Sequence, residues 1–277
     1  MQFKNGNFGL PSAFASYPSP LATIKKTKMY RIGLVVLFIL FSSSLYADCD
    51  DSGLWVYPAN KKLAPNSYIL LTGFSSSQKI IESLNSKYPV YLEADDHRVN
   101  LNIVEKNKGM FELTQALLHP TRELVAGKTY YLKIDSLDAW SQTLLTDFSW
   151  IVSDKKDVIQ PQWENEPRIS SEIVELYGCG SEVYVIFDLD IIDESKVLVN
   201  TELIDLETNE STKYFLTLNK ESKLYIGQSM CAGAFLLEKI SQCKVRFELW
   251  DLSGNKTEMW TSWIAFDSPY DLPLINE

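Results

Sequence analysis

Apolar and polar residues alternate in short runs along most of this chain, and this period of two is the feature that most constrains its fold. The runs are rich in β-branched and aromatic side chains, and turn residues such as Asp95-Asp96 separate them. A period of two places every second side chain on the same face of a β-strand. Many short strands with regularly spaced turns are typical of an all-β sandwich or barrel.

The predicted strands fall into two sets with a polar stretch between them. The first set is 68–71, 90–93, 99–104, 111–114, 129–134 and 148–152; the second is 182–187, 196–199, 202–206, 213–218, 224–226, 234–237, 244–250 and 259–266. One helical turn is predicted over Gln78–Asn85, where three apolar residues share a face. We therefore predict one β-sandwich over 48–153, a linker over 154–162 and a second β-sandwich over 163–277.

The first 47 residues have the three parts of a secretory signal peptide. They carry five basic and no acidic side chains, then ten apolar residues from Ile32 to Phe41, then small and polar residues up to Ala47. The alternative is a transmembrane anchor, but spanning a bilayer takes about 20 apolar residues. We predict cleavage after Ala47. Met29 is an alternative start that would leave a shorter signal.

Export and charge limit the partners. Removing 1–47 changes the formal net charge from −10 to −15. Such an acidic chain repels nucleic acids and anionic membranes. We therefore expect a periplasmic, extracellular or cell-surface protein, with no nucleic-acid partner and no stable membrane insertion. A protein or glycan partner remains open.

Four cysteines lie in the exported part, and an even number in an oxidising compartment indicates disulfides. They are Cys49, Cys179, Cys231 and Cys243. If Cys231 and Cys243 sit on the arms of an extended hairpin, they are about 20 Å apart, whereas a disulfide needs roughly 4.4–6.8 Å between Cα atoms. This favours Cys179–Cys231, with Cys49 and Cys243 left to pair or to stay free.

Three segments carry a family resemblance. Tyr57-Pro-Ala-Asn60 followed by Leu63–Leu71 resembles the opening of bacterial Ig-like domains of surface and S-layer proteins. Leu124–Ile134 is similar to their later strand, in which a Gly-x-Thr-Tyr turn leads into a Tyr-rich strand. In the second half, Val245–Asn255 resembles the closing hairpin of Ig-like and fibronectin-type domains. The resemblance implies two Ig-like or fibronectin-type sandwiches in a surface or periplasmic protein, and no particular activity.

Two groups of residues are candidate sites. Asp188, Asp190, Asp193 and Glu194 form an acidic cluster that could supply calcium ligands, because hard cations prefer several carboxylates; the alternative is an exposed turn. No other cofactor is expected. Of the seven tryptophans, Trp140 and Trp260 are the candidates for an exposed surface that stacks against sugar rings, whereas Trp150, Trp250 and Trp263 fit a core or domain seam.

No catalytic motif is present in the sequence. Neither His97 nor His119 lies in a recognised nucleophile context, and no pair of carboxylates stands out for glycoside hydrolysis. We therefore expect a non-catalytic two-domain protein that acts as a structural, adhesive or ligand-binding module. A carbohydrate-binding accessory protein is the alternative, and a hydrolase is a remote one.

Overall fold

The computed structural model describes residues 52–59, 62–95, 97–143, 145, 148–178 and 180–271, except for the side chains of Trp140 and Asp271. The predicted signal peptide, Cys49 and Cys179 lie outside these residues. The described part belongs to one compact unit, Asp48–Glu277, so the independence of two domains stays a prediction. No helix in the described ranges is long and apolar enough to cross a membrane.

The first half is a sandwich of two sheets that share one long strand. Its strands are β1 (Gly53–Tyr57), β2 (Lys62–Leu63), β3 (Ile69–Phe74), β4 (Val90–Ala94), β5 (His97–Lys108), β6 (Leu113–Pro120), β7 (Thr129–Ile134) and β8 (Ser149–Val152). The order is β1-β3-β6-β5-β4-β7-β8-β2. β5 pairs with β4 through its first residues and with β6 through the rest, with a register shift between Ile103 and Glu105. One 12-residue strand therefore belongs to both layers.

Two short helices complete the first half. α1 (Gln78–Glu82) lies where the helical turn was predicted, and it follows a 3₁₀ turn at Ser75–Ser77. α2 (Ala139–Thr143) lies in the connection between β7 and β8 and was not predicted. Asp138 caps its first turn, because its carboxylate accepts hydrogen bonds from the N–H and the hydroxyl of Ser141.

The core of the first half lies between the two layers. Alternate residues of the strands point inward, such as Ile69 and Leu71 from one layer and Leu92 and Leu132 from the other, and all four are almost fully buried. Trp150 is also buried, and its indole N–H donates to the carbonyl of Pro58 at 2.9 Å. Burial of a Trp side chain costs little free energy when its one hydrogen-bond donor, the indole N–H, has a partner.

Tyr130 forms a tyrosine corner at the turn that the Gly-x-Thr-Tyr motif predicted. Its ring is fully buried, and its hydroxyl accepts a hydrogen bond from the Val125 N–H at 3.2 Å. The same hydroxyl bonds to Nε2 of His97. Gly127 turns the chain with φ +76, a left-handed conformation that favours glycine. A Tyr that bonds back to upstream backbone at this corner is a hallmark of Ig-like sandwiches.

The second half is a three-on-four sandwich. Its strands are β9 (Gln162–Trp163), β10 (Arg168–Tyr177), β11 (Gly180–Asp188), β12 (Ile191–Ile192), β13 (Val197–Asp205), β14 (Ser211–Thr217), β15 (Lys223–Gln228), β16 (Gln242–Asp251) and β17 (Ile264–Asp267). The sheet β10-β11-β15 faces the sheet β14-β13-β16-β17, and β9 and β12 form a separate pair. Their inner faces form one apolar core that includes Val185, Phe187, Val245 and Phe247. The all-β sandwich prediction is confirmed.

Several predicted strands are placed differently. Residues 196–199 and 202–206 are parts of the single strand β13, and β6 begins at Leu113 rather than at Phe111. The strand predicted at 234–237 is wrong: this segment is irregular and leads into a 3₁₀ turn at Leu237–Lys239. Its apolar side chains are buried all the same. The Leu237 N–H donates a hydrogen bond to the side-chain oxygen of Gln228 at 2.7 Å, which takes the place of a carbonyl on a neighbouring strand.

The strand predicted at 259–266 is confirmed only from Ile264 onward. Before it, Thr257 and Thr261 reach β16 with backbone and hydroxyl groups, and their hydroxyls accept the N–H groups of Leu249 and Phe247. Side-chain hydroxyls thus take the place of a strand ladder. The sequence analysis did not predict β10, an edge strand in which only Ile173 and Val174 are half-buried and which therefore shows no apolar alternation.

Replacing Tyr130 by Phe tests the tyrosine corner. We expect Tyr130→Phe to lower the free energy of unfolding by about 1–2 kcal/mol, because the Val125 N–H loses its acceptor and His97 loses a partner. Urea unfolding followed by circular dichroism measures the change. Tyr131→Phe is the matched control, since Tyr131 is 44% exposed and its change should stay within about 0.5 kcal/mol. Equal effects from the two variants would contradict this role of Tyr130.

Candidate functional site

A buried side-chain amide is one of the contacts that join the two halves. The Nε2 of Gln115 on β6 donates to the carbonyl of Phe215 on β14 at 3.1 Å, and the Phe215 N–H donates to Oε1 of Gln115 at 2.7 Å. Gln115 is 1% exposed. An amide side chain has the same donor and acceptor as a peptide group. Gln115 therefore pairs with β14 as one residue of a neighbouring strand would.

Apolar packing and backbone bonds extend this seam. Leu70 and Leu117 of the first half form a buried cluster with Leu198, Phe215 and Leu252 of the second. The loop before β6 adds a bridge to the other half, in which the N–H of residue 111 donates to the carbonyl of residue 233 and the reverse bond also forms. The seam fixes how the outer face of the first sheet lies against β14.

Gly254 shows how close this approach is. Its φ is +86, and a Cβ at this position would lie 2.5 Å from the ring of Tyr68 in the other half. Both the left-handed backbone and the contact require the absence of a side chain. The N–H of Tyr68 also donates to the carbonyl of Leu252. The Gly-Asn turn that resembles a closing hairpin therefore also packs against the first half.

Beside the seam lies a groove, which we call the interdomain groove. It has a volume of about 330 Å³, and its lining includes Trp55, Tyr57, Thr72, Gln115, Tyr214 and Thr217. Trp55 is 53% exposed and is held by stacking against Phe74, with ring centroids 5.7 Å apart and planes inclined by 15°. An apolar groove with an exposed indole and a few polar groups is a typical ligand site.

The lining of the interdomain groove carries no charged side chain. Burial raises the pKa of Tyr57 to about 12 and also raises the pKa of Tyr214, so both phenols are neutral at physiological pH. The Tyr214 hydroxyl is buried, and the side chains of Gln115 and Thr72 interact with it and partly offset the rise. A charged ligand would lose its hydration here without gaining an ion pair. The groove therefore suits an uncharged ligand with a flat apolar face.

Trp260, one of the two predicted sugar-stacking residues, is half-buried in a ladder of cations and indoles. Its ring lies 5.6 Å from Nζ of Lys213 and 4.7 Å from the Arg246 guanidinium. Arg246 also lies 4.6 Å from the ring of Trp263, which Lys244 flanks at 4.9 Å. Stacked cations stabilise aromatic rings. Both neighbours of Trp260 are thus cations of its own chain.

Glu202 supports the ladder on the same sheet face. Its carboxylate accepts two hydrogen bonds from Arg246 and one from Ser211. Desolvation opposes the charged form of Glu202, but the bonds from Arg246 and Ser211 outweigh it and lower its pKa. A charge-assisted pair of this kind holds the guanidinium in place between the indoles. The arrangement fixes the irregular segment before β17 on the sheet.

The other tryptophans are distributed over the fold. Trp150 is in the core, and Trp250 is half-buried against the seam cluster, as expected. Trp263 was expected in a core or seam but is 37% exposed, because it lies at the end of the ladder. Trp140 lies in α2, and its side chain is outside the description. The sequence reasoning did not single out Trp55, although Leu54 and Val56 on either side of it are buried and place it on the opposite face of β1.

The predicted acidic cluster does not converge on one point. Asp188 ion-pairs with Arg168 at 3.8 Å, and Asp190 accepts a hydrogen bond from Asn165 at 3.0 Å. Asp193 turns instead toward Asp157 and Asp251, and its Oδ2 is buried without a partner among the described residues. Burial is the main reason that the pKa values of Asp193 and Asp251 are raised, and neighbouring carboxylates add to it.

The negative charge of Glu194, the fourth residue of the predicted cluster, raises the pKa of Asp193. Within the ranges described above, no three His, Cys, Asp or Glu residues form a group that could hold a metal ion. Calcium binding by the predicted cluster stays a prediction. Of the two described cysteines, Cys243 is free and fully buried, and burial raises the pKa of its thiol to about 12.

Both histidines lie on strands of the first half. His97 begins β5 and bonds to Tyr130, as described above. His119 lies on β6, where its ring is 4.4 Å from the ring of Tyr68. Burial lowers the pKa of His119. Both rings are therefore part of structural contacts in the first half.

Comparisons with known proteins find similarity only at the level of solved structures. No family model matches the chain, and no curated protein matches it. A pullulanase type I from Bacillus subtilis complexed with maltose is 9% identical, covers 74% of this chain and 23% of its own, and has a TM-score of 0.25. The tandem Ig repeats of Dlar are 8% identical, cover 79% of this chain and 96% of their own, and have a TM-score of 0.22.

A second pullulanase, from Anoxybacillus sp. LM18-11 and complexed with maltotriose, is 11% identical, with 78% and 25% coverage and a TM-score of 0.23. The chain thus spans about a quarter of the length of the pullulanases that it matches. At these TM-scores the likenesses carry no functional argument.

Removing the Gln115 amide tests the seam. We expect Gln115→Ala to lower the free energy of unfolding by about 2–4 kcal/mol, because Phe215 loses two hydrogen bonds and a buried cavity forms. Urea unfolding followed by fluorescence and circular dichroism measures the loss. Gln162→Ala, at an exposed position of β9, is the control and should change stability by less than about 0.5 kcal/mol. A Gln115→Ala variant as stable as this control would overturn the assignment.

Neutralising Asp193 tests the buried carboxylates. A raised pKa means that the charged form is less favourable in the folded than in the unfolded protein. This cost is fully present above the folded pKa and disappears as the pH falls below 3.8. We expect Asp193→Asn to raise the melting temperature at pH 7 by about 1–3 °C, and the difference to vanish at low pH. Calorimetric scans across this range measure it. The exposed Asp154→Asn is the control, and an equal gain at every pH would contradict the electrostatic cause.

Proposed function

We propose that this protein is a non-catalytic, extracytoplasmic binding module that holds an uncharged, amphipathic ligand in the interdomain groove. The half-exposed indole of Trp55 beside the uncharged lining of this groove is the observation that carries the proposal. Aromatic rings supply contact area at low entropic cost, and polar groups around them fix the orientation of a ligand. The ligand would be a small molecule or a group on a protein or glycan partner.

The seam supports this role. Residues from both halves line the interdomain groove, so its shape depends on their relative position. Gln115 bonds to Phe215 and also lines the groove. A side chain that is locked by hydrogen bonds preorganises a site, and less entropy is then lost when the ligand binds.

The predicted export of the chain supports an extracytoplasmic location. The signal-like segment 1–47 and the acidic remainder favour the periplasm or the cell surface. A Cys179–Cys231 disulfide is also proposed, because a Cβ at Gly180 would lie 2.8 Å from the carbonyl oxygen of Met230, the residue before Cys231.

A non-catalytic role agrees with the placement of the titratable groups. Neither His97 nor His119 lines the interdomain groove, and its lining residues are uncharged. General acid–base catalysis needs a group within hydrogen-bond reach whose pKa lies near the working pH. The two neutral phenols of the groove, with raised pKa values, are poor bases at pH 7.

Binding of a neutral aromatic probe tests the proposal. We expect N-phenyl-1-naphthylamine, an uncharged fluorescent amine, to bind the protein and Trp55→Ala to weaken this binding about tenfold. That loss corresponds to about 1.4 kcal/mol, the order of one aromatic contact. Fluorescence titration measures the dissociation constants.

Trp263→Ala is the matched control, because Trp263 is also exposed but lies on another sheet face. It should bind the probe as the parent does. No binding of the probe, or an equal loss in the two variants, would overturn the interdomain groove as the binding site.

A further inference from the structure

A second concave surface lies at the far side of the first sandwich, beside α2, and we call it the α2 cleft. Its volume is about 410 Å³, and its polar lining consists of Tyr91, Lys133, Asp135, Ser136, Gln142 and Thr143. We propose that the α2 cleft binds an uncharged saccharide. This site is separate from the interdomain groove and does not depend on it.

The polar groups of the α2 cleft can both donate hydrogen bonds to hydroxyl groups and accept hydrogen bonds from them. Lys133 is a donor, the Asp135 carboxylate is an acceptor, and the Ser136 hydroxyl can supply both functions. Gln142 donates from Nε2 to the carbonyl of Leu137 and presents its amide oxygen as a further acceptor. A sugar hydroxyl also donates one hydrogen bond and accepts others. A mixed lining of this kind therefore fits a polyhydroxylated ligand better than a purely apolar one.

Charge selects a neutral saccharide. The residues that line the α2 cleft include one cation, Lys133, and one anion, Asp135, so the lining has no net charge. An acidic saccharide would meet the Asp135 carboxylate, and a neutral ligand avoids this repulsion.

Asp135 is held in position before any ligand arrives. Tyr91 donates its hydroxyl to Oδ1 of Asp135 at 2.9 Å, and Arg98 donates to Oδ2 at 3.3 Å. The Arg98 guanidinium stacks on the Tyr91 ring at 3.4 Å. Two bonds leave lone pairs of the carboxylate available, because an ionised carboxylate accepts about four. Tyr91 and Arg98 thus orient an acceptor at the cleft.

The backbone at the α2 cleft has an unusual conformation. Ser136 has φ +65, a left-handed conformation that is costly for a residue with a Cβ. Such residues concentrate at binding sites, where their surroundings hold them in place. The cleft also lies at the connection between β7 and β8, and end loops of Ig-like sandwiches are common sites of recognition.

A glycan array tests the proposal. The protein is applied to immobilised neutral, acidic and basic oligosaccharides, and neutral hits are titrated by calorimetry. We expect neutral saccharides to bind, and Asp135→Asn and Lys133→Ala each to weaken their binding about fivefold or more. Lys133 is exposed, so Lys133→Ala keeps the test valid if Asp135→Asn fails to fold.

Two controls separate this site from other sources of binding. Lys155→Ala removes an exposed lysine outside the cleft, and Trp55→Ala alters the interdomain groove; both should bind the saccharide as the parent does. No neutral hit on the array, or unchanged binding by Lys133→Ala and Asp135→Asn, would overturn the proposal. If only Trp55→Ala lost saccharide binding, the saccharide site would be the interdomain groove and not the α2 cleft. The result of the naphthylamine titration tests only the interdomain groove and has no bearing on the α2 cleft.

Discussion

The pairing of the Gln115 amide with the Phe215 backbone is the interaction on which the arrangement of the two halves depends. β14 is the edge strand of its sheet, and an unpaired N–H and C=O on a buried edge would cost free energy. Gln115 satisfies both with one side chain, so the edge of β14 can approach the outer face of the first sandwich. Leu70 and Leu117 then pack against Phe215, and the space left beside them becomes the interdomain groove. A leucine at position 115 would fill the same volume but leave the edge unsatisfied.

The structure uses side chains in place of strand ladders at several points, and this explains its irregular regions. Gln115 substitutes for a strand at β14, Gln228 for one at Leu237, and the hydroxyls of Thr257 and Thr261 for one beside β16. Each substitution lets the chain leave a sheet without losing backbone hydrogen bonds. The segment before β17 therefore crosses the sheet without strand pairing and places Trp260 between Arg246 and Lys213. Trp260, a candidate for an exposed sugar-stacking residue in the sequence analysis, packs against side chains of its own sheet.

The two concave surfaces differ in chemistry. The interdomain groove combines an exposed indole with uncharged walls, whereas the α2 cleft has a mixed polar lining around a fixed carboxylate. The first depends on the packing of two halves and the second on one end loop. Binding sites on Ig-like sandwiches commonly use such loops and seams, because the sheets supply a rigid support. The two surfaces can be altered independently, since they share no lining residue.

The sequence by itself determined the all-β class and most strand positions, because a period of two is a local property: Leu92, Tyr130 and Val245 point inward as their alternation requires. The Gly-Lys-Thr-Tyr turn likewise marked the corner at Tyr130. Only the tertiary structure decided the sites. Gln115 and Trp55 are unremarkable in the chain, since their importance comes from groups about 100 residues away or from the neighbouring strand. The acidic cluster shows the converse: Asp188, Asp190 and Asp193 are close in sequence, but the alternation of the strand and the turn after it direct them to different partners. Local patterns specify elements, whereas a site depends on long-range contacts that no local pattern contains.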